Sequence, residues 1–351
     1  MSTVEFMEKN FKHFNARETL AAAEGFHKFV TEDNGKMMVC LAGAMSTAEI
    51  GITLAPMIRA GKVSAITCTG ANIEEDMFNL VANKSYKLQP EWRYLTMEED
   101  RKTRDEGMNR VTDTCIPEDV MLDMHAALSE LWAEAADKGE SHFHWEYFYT
   151  LIRSGFFEGK NDVPMEDSWL VAACEMDIPV YTAGFEDSTL GNMFCADVMQ
   201  GKVKSHSAIK PGTELFAHLT GWYDEVQKNH PIGFFQIGGG IAGDFAMCVV
   251  PALIQDHEKK DCRRWRYFCH IGDAVTSYGG YSGCPANEKV TWHKLDADTV
   301  NFTINSDASI VAPLVFSYVM EKHLETAEAV KDAVAEETIG VAAGKKAVEA
   351  S

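Results

Sequence analysis

Pro231-Ile-Gly-Phe-Phe-Gln-Ile-Gly-Gly-Gly-Ile-Ala-Gly-Asp244 decides the fold. Its first half is apolar on consecutive residues, as a strand buried on both faces must be. Its second half is a glycine turn placed to open a helix. Five further runs share the nearly continuous apolar character: residues 36–41, 63–68, 178–181, 265–270 and 300–304. Segments with helical spacing separate most of them, among them 49–60, 117–138, 145–152 and 245–257. Strands that alternate with helices predict an α/β fold whose mostly parallel sheet is covered by helices on both faces.

Composition narrows the function. The chain has 351 residues, 46% of them hydrophobic and 24% charged, which supplies a substantial core and excludes disorder. Lys plus Arg number 32 against 53 Asp plus Glu, a formal charge of -21. That balance argues against nucleic acid and anionic membrane as partners, and it suits a cationic small substrate or simple solubility. The cysteines number nine, an odd count, with no Cys-x-x-Cys pair and several in apolar runs, which predicts reduced thiols and a cytoplasmic location. The first ten residues lack the pattern of a signal peptide, and no apolar run approaches the length of a membrane span. Residues 1–325 are expected as a single domain, with a charged surface excursion over 90–140 and a terminal helix or tail over 326–351.

The segments after the strands carry the chemistry. Each is small and polar, often acidic: Ala42-Gly-Ala-Met-Ser-Thr-Ala48, Thr69-Gly-Ala-Asn-Ile-Glu-Glu-Asp76, Thr182-Ala-Gly-Phe-Glu-Asp-Ser-Thr-Leu-Gly-Asn192, Gly238-Gly-Gly-Ile-Ala-Gly-Asp244, Ile271-Gly-Asp-Ala274 and Asn305-Ser-Asp-Ala-Ser309. In open α/β sheets ligands bind outside the carboxyl ends of the strands, so six such loops would form one polar site. Gly238–Gly243 fits G-x-G-x-x-G after a strand and before a helix, the context of a Rossmann-like dinucleotide site. Asp273, at the end of the next strand, is placed to meet a ribose hydroxyl. The motif comes late in the chain, and a plain structural turn would read the same way. Glu74-Glu75-Asp76 could serve a helix N-terminus or an ammonium group. Lys294, beside Trp292, could be solvated surface or a partly desolvated nucleophilic amine. His142 and His144 could face one way on a strand, but no third ligand follows at a recognisable spacing, so no metal is expected.

Together these segments resemble the deoxyhypusine synthase family, with its homospermidine synthase relatives, over roughly residues 36–325. The most specific block is Ser282-Gly-Cys-Pro-Ala-Asn-Glu-Lys-Val-Thr-Trp-His-Lys294 followed by Ser306-Asp-Ala-Ser-Ile-Val-Ala-Pro313. It is similar to the family's Ser-Gly…Glu-x-Val-Ser-Trp-x-Lys segment and downstream Asp-Ala-Ser. Thr69–Asp76, Ile178-Pro-Val180 with Asp187-Ser-Thr-Leu-Gly191, and Gly238–Gly240 resemble further blocks in the family's order. The resemblance implies NAD as a cofactor that is reduced and regenerated, and polyamine substrates such as spermidine. It implies an aminobutyl group carried as an imine on Lys294, with Glu288 and Trp292 beside it. It also implies NAD contacts from Met45, Ser46, Thr69, Gly70, Ala71, Glu75, Asp187, Gly238, Gly239, Gly240, Asp273, Ala274, Asp307 and Ala308. Glu74, Asn192, Asp244, Tyr281, Ser282, Glu288 and Trp292 would line the amine site of a homotetramer whose sites lie at subunit interfaces.

The departures bear on substrate. Asn192 stands where the family usually has an Asp that binds an amine end, Asp244 where it has a His, and Tyr278-Gly-Gly-Tyr281 replaces an acidic loop. An Asn lacks a carboxylate's full charge, so the amine pocket is modified, and a free diamine such as putrescine becomes the favoured acceptor. The alternatives are a protein lysine as acceptor, a non-catalytic NAD- or polyamine-binding homologue, and an amine dehydrogenase that releases NADH.

Overall fold

The computed structural model describes residues 1–276 and 278–327. Six parallel strands form the main sheet: β1 (Lys36–Leu41), β2 (Ala65–Cys68), β3 (Val180–Tyr181), β4 (Ile232–Ile237), β5 (Trp265–Gly272) and β6 (Leu295–Asn305). They lie in the order β3-β2-β1-β4-β5-β6, and each neighbouring pair is parallel. This is the doubly wound, Rossmann-like arrangement anticipated from the sequence, in which the winding reverses between β1 and β4.

Burial on both faces explains the continuous apolar runs. All six residues of β4 are buried. Phe235 packs on Phe26 of the helix Phe14–Thr31 and on Phe316 of the final described helix, at centroid distances of 5.5 and 5.3 Å. Phe234, pointing the other way, meets Trp265 at 5.0 Å, and Trp265 in turn meets Tyr223 of the helix Gly212–Val226 at 4.8 Å. Edge strand β6 is mostly exposed instead, with only Leu295, Thr299 and Ile304 buried. Its pairing with β5 is interrupted between Trp265 and Tyr267, so residues 296–299 bulge outward and regular pairing starts at Val300. The expected strand over 300–304 is this regular part.

Three further expectations gain detail. The helix expected over 245–257 starts earlier, as Gly240–Met247, continues through Val249–Pro251 and widens into a π turn, Ala252–Asp256. Pro251 has no amide hydrogen to give to the ladder, which accounts for the change of pitch there. Over 90–140, a helix (Met97–Asp105) accompanies strands Thr114–Pro117 and Met108–Val111, which form a small antiparallel sheet with Lys87–Leu88 just before it. The helix Glu118–Lys138 then buries Val120, Met124, Leu128 and Trp132, one per turn, against the body of the chain. The tail expected as a helix over 326–351 lies outside the described residues beyond 327. No helix among the described residues is long and apolar enough to cross a membrane. All nine cysteines are free thiols.

Helix Glu118–Lys138 is tied to helix Thr189–Met199 by a buried polar cluster. Asp197 is fully buried and accepts hydrogen bonds from His125 at 2.7 Å, Ser129 at 2.6 Å and Lys202 at 3.1 Å. Burial alone would raise its pKa, but these three donors outweigh it and hold the carboxyl below the ordinary aspartate range. Asp197→Ala leaves three donors facing an apolar hollow. It should lower the unfolding free energy by about 3 kcal/mol in urea titration. A loss under about 1 kcal/mol would show that the cluster does not fasten the two helices.

Candidate active site

The reversal between β1 and β4 opens a cleft of about 770 Å³ at their carboxyl ends. Ala42, Gly43 and Met45 line it from the β1 loop, Thr69 from β2, Gly238–Gly240 from β4, Asp273 and Ala274 from β5, and Asp307 and Ala308 from β6. Five of the six strand-end loops therefore meet. The sixth, after edge strand β3, instead lines a separate hollow of about 350 Å³ with Phe185 and His206.

The glycine turn is shaped by close packing. Gly238 and Gly240 have φ of +70° and +62°, which glycine alone adopts without strain. A Cβ on Gly239 would come 2.2 Å from Ser282 Oγ. That serine accepts the Gly240 amide hydrogen at 3.1 Å, so the segment around 282 is locked onto the turn. Ser282 takes the Gly240 amide, but Gly239 at the N-cap has no side chain to cap the helix Gly240–Met247, which leaves the following first-turn amides available to an anion at the cleft. Asp273 and Asp307 are exposed at its far wall. Open glycine backbone, uncapped amides and two carboxylates are the groups that a pyrophosphate and two riboses require. The motif follows β4 rather than β1, which is why it occurs late in the chain.

The segment Thr69–Asp76 is more structural than its acidity implied. Asn72 is fully buried and wires the β1 loop to the β2 loop: it accepts from the Ser46 amide at 3.0 Å and donates to the carbonyls of Leu41 at 3.0 Å and Gly43 at 2.8 Å. Ser46 is itself occupied, donating to the Asn72 carbonyl and accepting from Trp169 Nε1. Gly70 lets Ser188 approach, since a Cβ there would lie 2.4 Å from the Ser188 Cβ. Glu74 accepts from the amides of Thr189 and Leu190 at 3.0 and 2.8 Å, at the start of helix Thr189–Met199. Asp76 accepts from Ser168 Oγ at 2.5 Å and from the Leu170 amide at 3.0 Å, at the start of helix Trp169–Glu175. These acids do serve helix N-termini, but of neighbouring helices. Glu75 accepts from Thr47 Oγ1 at 2.7 Å. Burial pushes it up to about 7, the Thr47 bond opposes the rise and the charge of Glu74 adds to it. Burial likewise carries Asp76 to about 6. Glu74 and Glu75 share an acidic hollow of about 320 Å³ with Glu118, Phe78, Met121 and Met193.

Lys294 precedes β6 and is 8% exposed. Its Nζ donates to Asp244 Oδ1 at 2.5 Å and lies 5.3 Å from the Tyr281 ring centroid. Asp244 is on the helix that opens at the glycine turn, and Tyr281 precedes the serine that grips that turn. Tyr281 donates to Gln236 Oε1 at 2.9 Å, which fixes the ring over β4. The lysine expected as surface or nucleophile is thus inside, but it is ion-paired rather than free, and the cleft lining does not include it. Glu288 and Trp292 are exposed, Trp292 at 63%, and do not enclose the amine within one chain. Asp187 and Asn192 are exposed too, with the Asn192 amide donating to the Glu186 carbonyl at 2.5 Å. Ala71 sits in the first turn of its helix beside Gly70. His142 and His144 do not share a strand. His142 forms a lone bridge to Ile209, while His144 opens a helix and stacks on Phe185 at 4.9 Å. Asn72, Thr47 and Lys289 were not singled out from sequence. An Asn inside a buried helical turn carries no periodic signal, and only tertiary contacts expose its role.

Comparison with known proteins gives a consistent neighbourhood. The sequence profile of deoxyhypusine synthase matches residues 4–319. The chain is 28% identical over 329 residues to the "Deoxyhypusine synthase-like protein" of Nostoc punctiforme, covering 92% of this chain and 80% of that one. It is 23% identical over 303 residues to the "Probable deoxyhypusine synthase 2" of Archaeoglobus fulgidus, covering 86% and 92%. The fold is shared with the crystal structure of "a putative deoxyhypusine synthase" from Entamoeba histolytica, at a TM-score of 0.53, 12% identity and 87% coverage of each chain.

The elevated Glu75 value has a stability consequence. A carboxyl raised on folding contributes fully at low pH, and that contribution is lost as pH rises from about 4.5 to about 7. Glu75→Gln should therefore match the parent near pH 4 and exceed its unfolding free energy near pH 8 by on the order of 2 kcal/mol in denaturant titration. An unchanged pH slope would show that Glu75 titrates normally.

Proposed function

Because the chain belongs to the deoxyhypusine synthase family, we propose that it moves an aminobutyl group from spermidine or a related polyamine, through Lys294, to a free diamine such as putrescine. Membership supports NAD-dependent aminobutyl transfer in general terms; the acceptor and the residue roles are the finer reading. The observation that carries it is the buried Lys294 amine, paired with Asp244 on the helix that rises from the glycine turn.

NAD supplies the hydride chemistry when bound. Gly238–Gly240 and the uncapped amides behind them would hold its pyrophosphate, and Asp273 and Asp307 its ribose hydroxyls, with Met45, Thr69, Ala274 and Ala308 along the walls. The chain's own work is proton and charge handling. An incoming ammonium group competes for Asp244, whose side chain is 43% exposed, and frees Lys294 from its ion pair. As the pair opens, the Lys294 ammonium proton passes by way of the half-exposed Asp244 carboxylate to solvent, and the uncharged Nζ then adds to the imine carbon of the dehydrogenated donor. The bond from that carbon to the departing amine breaks, and the proton released by Nζ leaves on that amine. The acceptor amine reverses the exchange and regenerates Lys294.

The acidic hollow beside Glu74 and Glu75 offers carboxylates between methionine and phenylalanine side chains, which suits ammonium groups joined by methylenes. Neutral Asn192 and acidic Asp244 shift negative charge towards Lys294, which supports a short diamine as acceptor. Ile241, Ile310 and Trp292 are exposed apolar side chains on the segments that bear the site, which supports a homotetramer closing it across subunits. Free thiols throughout support a cytoplasmic setting.

Incubation with NAD+, spermidine and either putrescine or a lysine-bearing acceptor protein, read by mass, tests the reading. The expected product is homospermidine, without stoichiometric NADH. Lys294→Ala should reduce product by roughly 10³-fold or more while retaining NAD binding. Gly239→Ala should weaken NAD binding, because its Cβ displaces Ser282. Product unaffected by Lys294→Ala would refute the nucleophile, net NADH would indicate a dehydrogenase, and binding without turnover would indicate a sensor.

A further inference from the structure

A second lysine is buried beside the first. Lys289, on the helix Ala286–Thr291, is 1% exposed. It occupies a position that the Glu-x-Val-Ser-Trp-x-Lys pattern leaves open. Its Nζ donates to the Cys284 carbonyl at 2.7 Å and lies over two rings, 4.7 Å from the Tyr281 centroid and 5.1 Å from that of Phe268. Among the described residues no carboxylate pairs with it; a carbonyl dipole and two π faces hold it. Lys294 Nζ is 5.3 Å from the same Tyr281 centroid, so the two nitrogens are no more than about 10 Å apart.

The cluster therefore contains two amines and one carboxylate. Asp244 faces Lys294 from the glycine-turn helix, with the Cys248 thiol at that helix's end. Tyr281 and Cys284 face the pair from the loop, and His270 faces Lys289 from β5. Burial keeps the thiol of Cys248, the phenol of Tyr281 and the imidazole of His270 uncharged, the last lowered to about 4. Only Asp244 opposes two positive charges.

We propose that Lys289 is a positioning residue whose positive charge offsets Asp244, so that Lys294 gives up its proton, by way of Asp244 to solvent, when a cationic amine enters. Lys289 never touches substrate; it acts through the field it imposes across the Tyr281 ring. Burial also lowers Lys289 below the ordinary lysine range, yet its carbonyl and aromatic contacts favour the ammonium form. A like charge next to a catalytic lysine is one of the ways such an amine is made nucleophilic. The inference rests on Lys294 being the nucleophile, and it assigns the source of that reactivity.

The test reads Lys294 directly. Trace acetylation with acetic anhydride from about pH 7 to about pH 10.5, quantified on the Lys294 peptide by mass spectrometry, gives the midpoint of its titration in the intact protein. Lys289→Met keeps the length and apolar fit of the side chain, and Lys289→Gln provides a second uncharged variant. Both should raise the midpoint by about half to one pH unit. Asp244→Asn should lower it. An unmoved midpoint in either folded Lys289 variant overturns the proposal, because a merely structural role would leave the titration alone. This outcome is distinct from failure of the proposed function, which would appear as product formation by Lys294→Ala with the labelling midpoints still shifted.

Discussion

Strands β1 and β4 are neighbours in space but not in sequence, and the chain leaves them toward opposite faces of the sheet. That single topological constraint leaves a gap at their carboxyl ends that no crossover fills. Five of the six polar strand-end loops are arranged around the gap. Loops on both sides are short of side chains at the closest approach, and the helix that rises from the glycine turn has no cap from its own N-cap residue. Neighbouring loops are tied to each other on each side of the opening: Asn72 joins the β1 and β2 loops, and Ser282 joins its segment to the glycine turn.

Charge is the second constraint. The chain carries a formal -21, yet the neighbourhood of Lys294 has an excess of buried amine over carboxylate. A site for cationic amines has to attract cations at long range and still keep one lysine uncharged at close range. On the proposed function, the acidic surface and the acidic hollow near Glu75 would serve the first need. Asp244 holds Lys294 as an ion pair, and on the inference above the charge of Lys289, near the same Tyr281 ring, works against that hold. Because Asp244 is half-exposed while Lys294 is not, the carboxylate is the group an arriving amine meets first.

Much of this was legible in the sequence, for a physical reason. Parallel strands covered on both faces must be apolar on consecutive residues, so the buried strands β1 and β4 stand out at their full observed bounds. Small and polar residues after five of the six strands marked the cleft. Edge strand β6 was legible only from Val300, because its first half bulges. The acids of Glu74–Asp76 read as a helix N-terminus or as ligand groups; they are anchored to the starts of neighbouring helices and to a threonine, partners that only tertiary contact sets. Lys289 was invisible for the same reason: a lysine in a polar stretch reads as surface until the fold closes over it. Lys294 emerged only from the resemblance of its whole segment to a family, not from its own spacing.

The central claim is that the Lys294 amine carries the transferred fragment. The most direct measurement is borohydride reduction during turnover with NAD+ and spermidine, followed by peptide mass mapping. The account predicts a stable aminobutyl adduct on Lys294 and on no other lysine. An adduct on Lys289 or elsewhere, or turnover without any adduct, would contradict it.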